Sequence, residues 1–130
     1  MSNTGLSTIA ALVLAIAAVP AGADQITDIK TEAGEKFFHK ECYRCHSVDA
    51  DRDSYGPLLT GVVGRRAGTQ DGYPYSEALA QAGFVWTPGA LKAWMMDNDG
   101  FLPRTKMRHV GIADPTVLDF IVSYLGSISD

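Results

Sequence analysis

Two thiols three residues apart, with an imidazole directly after the second, form the most chemically loaded constellation in this chain: Cys42, Cys45 and His46 in the run Cys42-Tyr43-Arg44-Cys45-His46. C-x-x-C-H is the spacing that attaches a c-type haem. The two thiols add to the two porphyrin vinyl groups, and the adjoining His then lies under the iron as its proximal ligand. Blander chemistries compete for the same residues. A zinc site needs about four N/S ligands, and beyond the motif the chain offers only His39 and His109, with no second Cys pair. A thioredoxin-like redox pair expects a βαβ context, whereas the flanks here read as helix before and loop after.

The elements that must position this motif are mostly helical. The chain has 130 residues, one domain's worth, at 46% hydrophobic and 20% charged, as in ordinary globular proteins. Eleven basic against fifteen acidic residues give a net charge of −4, which disfavours sequence-general nucleic-acid binding. Two cysteines exclude a disulfide-rich scaffold. Residues 1–23 contain no charged side chain, and residues 9–19 (IAALVLAIAAV) are unbroken apolar. That run suits the roughly 7–15 residues of a signal-peptide core rather than the ~20 of a spanning helix. Ala21-Gly22-Ala23 supplies a small-x-small cleavage pattern, so residues 1–23 are expected to be an export signal and 24–130 the mature domain. An uncleaved anchor is the competing reading, because the polar start MSNTGLST lacks a basic side chain.

Periodicity and capping signals predict a helix over 31–42, with Gly34, Phe38 and Cys42 on one stripe. Ser76 caps a short helix over 77–82 that Gly83 ends. Thr87-Pro88 opens a third, carrying Leu91, Trp94 and Met95 on one face. Asp114-Pro115 opens the last, with Val117, Leu118, Ile121, Tyr124 and Leu125 as its stripe before Gly126. Seven Gly and Pro residues fall between positions 49 and 75, so that stretch is loop. It is too glycine-rich to pack on its own side chains, and something else must fill the middle of the fold.

Beyond the motif, several separate segments fall in one familiar order. They are Gly34-x-x-x-Phe38-x-x-x-Cys42, Gly56-Pro57-x-Leu59, Gly61-x-x-Gly64-Arg65-Arg66-x-Gly68, Gly72-x-x-Tyr75-Ser76, Trp86, Pro103-Arg104-Thr105-Lys106-Met107 and the closing Tyr124-Leu125. The chain in this respect resembles the class I cytochromes c, in the mitochondrial-type branch that includes bacterial periplasmic relatives, over residues 34–125. The resemblance implies an all-α fold, with helices and loops wrapped around one covalent haem c. It implies Cys42 and Cys45 as thioether partners, and His46 and Met107 as the two iron ligands. A soft sulfur favours ferrous iron and raises the potential relative to a second His; Met95 and Met96 are better placed for simple packing. By the same resemblance the Pro57 carbonyl accepts the far ring proton of His46. Arg65, Tyr75 and Trp86 serve the buried propionates, and Thr105 belongs to the network near the Met sulfur.

Four departures from the family pattern stand out. Trp94 occupies the place of a Tyr that bonds the Met sulfur, and a donor-only indole should change that network. Arg104 replaces a common Gly, which would strain a left-handed backbone position. Arg108-His109 follows Met107 where apolar and aromatic residues are usual. Position i+2 in an extended segment points His109 away from the iron and toward solvent. The chain is also acidic where mitochondrial members are basic, which points to a bacterial periplasm. A local basic rim is nevertheless expected from Arg104, Lys106 and Arg108 beside Lys40 and Arg44. The resemblance thus implies a one-electron carrier, not an enzyme, meeting redox proteins and docking on membrane complexes only transiently, as a monomer without nucleic-acid partners. The alternatives are a haem enzyme or gas or peroxide sensor with a labile sixth ligand, or a membrane-anchored cytochrome subunit.

Overall fold

A computed structural model describes residues 21–52 and 55–128; the apolar run 9–19 lies outside the described residues. Six helices follow one another: α1 (Ala21–Glu41), α2 (Tyr43–His46), α3 (Glu77–Ala80), α4 (Pro88–Met96), α5 (Asn98–Phe101) and α6 (Pro115–Ser127). No strand occurs among the described residues, and one isolated antiparallel bridge pairs Arg66 with Val85. The fold is therefore all-α.

The core is the crossing of α1 and α6. Phe38 of α1 packs against Leu118, Ile121, Val122 and Leu125 of α6, all buried. A Cβ on Gly34 would lie 1.9 Å from the Phe120 carbonyl oxygen, so only glycine lets the two backbones approach this closely. Asp114 starts α6 by accepting from Thr116 N–H at 2.8 Å and Val117 N–H at 3.4 Å, with Pro115 in the first turn. Thr87 does the same for α4, accepting from Ala90 N–H at 3.1 Å, and α4 buries Leu91, Trp94 and Met95.

Several boundaries differ from the sequence expectation. Helix α1 begins at Ala21 rather than near 31, running through the Ala23–Asp24 junction. No proline interrupts 21–41, so helical propensity carries on beyond the packed stripe that periodicity detects. Its end is one residue early, because Cys42 (φ −119°) bends the chain into α2 while still donating to the Phe38 carbonyl at 2.8 Å. Helix α3 stops at Ala80, short of 82, and Gly83 takes the expected left-handed turn at φ 75°. Gly126 does not stop α6, which runs to Ser127; Val122 joins the buried face while Val117 and Tyr124 are half-buried. The short α2 and α5 have no periodicity long enough to announce them.

Candidate functional site

Between these helices and the 47–75 loops lies a cavity of about 560 Å³. Its walls include Cys42, Cys45, His46 and Met107, brought together from α1–α2 and from the loop before α6. Pro57, Arg65, Tyr75, Trp86, Trp94 and Thr105 line the same space. Every residue singled out in the sequence for the cofactor thus borders one cavity.

On the motif side, the His46 ring is fixed by its surroundings. Nδ1–H donates to the Pro57 carbonyl at 2.7 Å, which leaves Nε2 with a free lone pair. A Cβ on Gly56 would lie 2.2 Å from His46 Cε1, so the imidazole packs flat against a backbone that only glycine can provide. Burial lowers the His46 pKa; the Pro57 hydrogen bond opposes this, and the Arg52 and His109 charges reinforce it. The ring is therefore held neutral, the form that coordinates a metal. Burial, then Glu41 and Cys45, push the Cys42 thiol up to about 12. No disulfide joins Cys42 to Cys45. No cluster of three or more His, Cys, Asp or Glu side chains suited to a metal ion exists among the described residues, so the zinc reading has no geometry behind it.

On the Met107 side, the sulfur is also held. Trp94 Nε1–H donates to Met107 Sδ at 2.8 Å, and Asn98 Nδ2–H donates to the Met107 carbonyl at 3.0 Å. The indole thus donates to the sulfur from the place the family pattern gives to a Tyr. Asn98 is buried and was missed by sequence reasoning, since a lone Asn in a four-residue helix carries no periodic signal. Thr105 Oγ1 is buried in the cavity wall without a hydrogen-bond partner. An orphaned hydroxyl is costly unless another group fills the space it faces.

His109 departs from expectation. It is half-buried rather than turned out to solvent: it lines the cavity and donates from Nε2 to the Met95 carbonyl at 2.9 Å. The loop is not an extended strand with alternating sides, because Ile112 N–H also returns to Met95 O at 2.9 Å and folds the segment against the end of α4. Arg104 takes φ 66°, the left-handed strain anticipated for a non-glycine residue there. The basic rim is partly compensated: Arg108 lies 3.8 Å from Asp99, Lys40 2.9 Å from Glu41, and Lys106 donates to the Pro74 carbonyl.

At the remaining wall, Arg65 donates to the Thr60 carbonyl at 2.9 Å and the Leu58 carbonyl at 3.4 Å. Its charge opposes the burial that raises the Tyr75 phenol. Trp86 is buried and meets Trp94 edge-on, with ring centroids 5.2 Å apart. Two thiols, a neutral imidazole, a thioether, a guanidinium and an orphaned hydroxyl around one mostly apolar space fit a covalent haem with buried acid groups.

Known proteins with the same features fall together. The cytochrome c family model matches residues 31–129. Cytochrome c2 of Rhodopila globiformis is 40% identical over 95 residues, 73% of this chain and 90% of that protein. Cytochrome c2 iso-2 of Magnetospirillum fulvum is 37% identical over 87 residues, 67% of this chain and 91% of that protein. Among solved structures, cytochrome cH from Methylobacterium extorquens matches with a TM-score of 0.68 at 41% identity, covering 75% of this chain and 97% of that one.

Proposed function

This chain belongs to the cytochrome c family and carries one covalent c-type haem, and from that premise we propose that it is a one-electron carrier in which His46 and Met107 would hold the iron. The observation that carries this reading is the convergence of Cys42, Cys45, His46 and Met107 on one cavity. When bound, the haem supplies an iron that changes by one electron between ferric and ferrous. Cys42 and Cys45 would hold it by thioether bonds, while the Pro57 carbonyl keeps the His46 proton on Nδ1 and so presents Nε2. Trp94 steadies the Met107 sulfur by its N–H donation. Arg65, Tyr75 and Trp86, which line the cavity, would bind the haem acid groups, and Thr105 would supply one further donor. With His46 and Met107 both holding the iron, the haem would exchange electrons and offer a substrate no place on the metal.

Export accompanies this reading: residues 1–23 are removed after Ala23, and the carrier works in a bacterial periplasm between redox proteins, docking transiently on membrane complexes. No helix among the described residues is long and apolar enough to cross a membrane. Acid–acetone extraction tests the attachment, since haem released intact from the wild type would end it. The ferric visible spectrum tests ligation. Met107→Ala should abolish the sulfur-to-iron charge-transfer band and lower the potential. Intact mass tests export, with Asp24 expected at the N-terminus; haem-bearing protein that keeps residues 1–23 would mean an anchored carrier.

A further inference from the structure

Arg52 lies outside every motif that points to the haem, yet its half-buried side chain reaches the backbone around His46. One guanidinium N–H donates to the Gly56 carbonyl at 2.6 Å, and another donates to the Ser47 carbonyl. Ser47 directly follows His46, and Gly56 directly precedes Pro57, the residue that receives the His46 Nδ1 proton. Gly56 N–H also returns to the Cys45 carbonyl at 3.0 Å. One side chain therefore ties together both ends of the loop 47–56, on which the orientation of the imidazole depends. A planar fork of donors suits two carbonyls in this way, and a single ammonium does not.

The guanidinium is also a positive charge fixed in place by its two bonds. Its two bonds grip the backbone directly after His46 and directly before Pro57, so the charge is held close behind the imidazole. A cation fixed on this side disfavours the more positive, ferric state of an iron bound at Nε2. Partial exposure screens the effect without cancelling it.

We propose that Arg52 is a positioning residue for the axial imidazole and, through its fixed positive charge behind His46, a determinant of the reduction potential. The proposal rests on the haem-carrier reading given above. Removing the charge should shift the ferric/ferrous balance about three- to tenfold toward ferric, a fall in potential of roughly 30–60 mV for one electron.

The experiment compares holoprotein wild type, Arg52→Gln and Arg52→Lys by redox titration, ferric spectrum and thermal melting. Arg52→Gln should show the lowered potential with the sulfur-to-iron band retained. Arg52→Lys should keep the wild-type potential while melting lower, because it keeps the charge and loses the fork. An Arg52→Gln potential equal to wild type would overturn the proposal and leave only a loop strap. Should Arg52→Gln not accumulate as holoprotein, Arg52→Lys decides: a tenfold shift toward ferric, with the charge still present, overturns it. A wild type lacking covalent haem or the sulfur band would overturn the carrier reading instead, before any variant is measured.

Discussion

Gly56→Ala isolates the contact on which the imidazole geometry depends. The new Cβ would lie 2.2 Å from His46 Cε1, 2.6 Å from Nδ1 and 2.9 Å from Nε2. Non-bonded carbons prefer about 3.5–4.0 Å, so the ring or the loop must move by roughly 1 Å or more. A shift of that size stretches the 2.7 Å bond from His46 Nδ1 to the Pro57 carbonyl past any useful length. Overpacking costs about 1–3 kcal/mol and an orphaned buried donor about 1–3 kcal/mol. With partial relaxation, a loss of about 2–5 kcal/mol follows, on the order of 10–30 °C in melting temperature for a domain of this size. Gly72→Ala is the control: Gly72 sits at φ 73° with nothing within 4 Å of its Cβ, so only left-handed strain of about 1–2 kcal/mol is added. Melting of both holoproteins by circular dichroism checks the order, and the ferric spectrum of Gly56→Ala should report a disturbed axial ligand. A Gly56→Ala protein no less stable than Gly72→Ala would refute the packing of His46 on the glycine backbone.

Other substitutions probe the loop and the helix contacts. Arg104→Gly relieves the strain at φ 66° by about 1–2 kcal/mol and returns about 0.4–1 kcal/mol of it as chain entropy. Its melting temperature should therefore equal or slightly exceed wild type, and a loss above ~2 kcal/mol would show that the Arg104 side chain holds the loop. Trp94→Phe removes the 2.8 Å donation to Met107 Sδ while keeping an aromatic ring. At about 1 kcal/mol for that bond, added imidazole should displace the sulfur roughly five- to tenfold more readily, read from loss of the sulfur-to-iron band. The Lys92 hydrogen bond, and then its charge, hold the Asp119 carboxyl below the usual range. Its contribution is present above the unfolded carboxylate pKa and is lost as pH falls through the lower folded value. Urea midpoints of Asp119→Asn and wild type should accordingly differ at pH 7 and converge below about pH 4.

What the sequence made legible was local. Thr87-Pro88 and Asp114-Pro115 announce helix starts because cap and proline act within one turn, and both caps form as read. The haem motif is legible for the same reason: its chemistry lies within five consecutive residues. The start of α1 was not legible, because residues 22–30 are helical without a buried residue and so leave no stripe. His109 was misplaced because the alternation rule assumes an extended strand, whereas the loop turns back on the Met95 carbonyl. Arg52 and Asn98 went unnoticed because each acts on a backbone carbonyl, a partner that has no signature in residue type.

The Met107 loop lacks regular structure, yet a side chain proposed to stay on the iron in both oxidation states needs a fixed frame. The end of α4 supplies it. Trp94 grips the sulfur, the Met95 carbonyl receives both His109 and Ile112, and Asn98 of α5, just beyond, takes the Met107 carbonyl. A Cβ on Gly111 would lie 2.0 Å from the Met96 carbonyl oxygen, so the returning loop is seated on the last turn of the helix as closely as backbone allows. Helix α4 in turn packs on α6, with Lys92 bound to Asp119, and α6 is locked at the Gly34 crossing to α1, which leads directly into the cysteines. The two sides of the haem cavity are thus both tied to the packing of α1, α4 and α6. Loops so anchored would keep the proposed ligands His46 and Met107 in place when the charge on the iron changes, and a small structural change between oxidation states favours fast one-electron transfer.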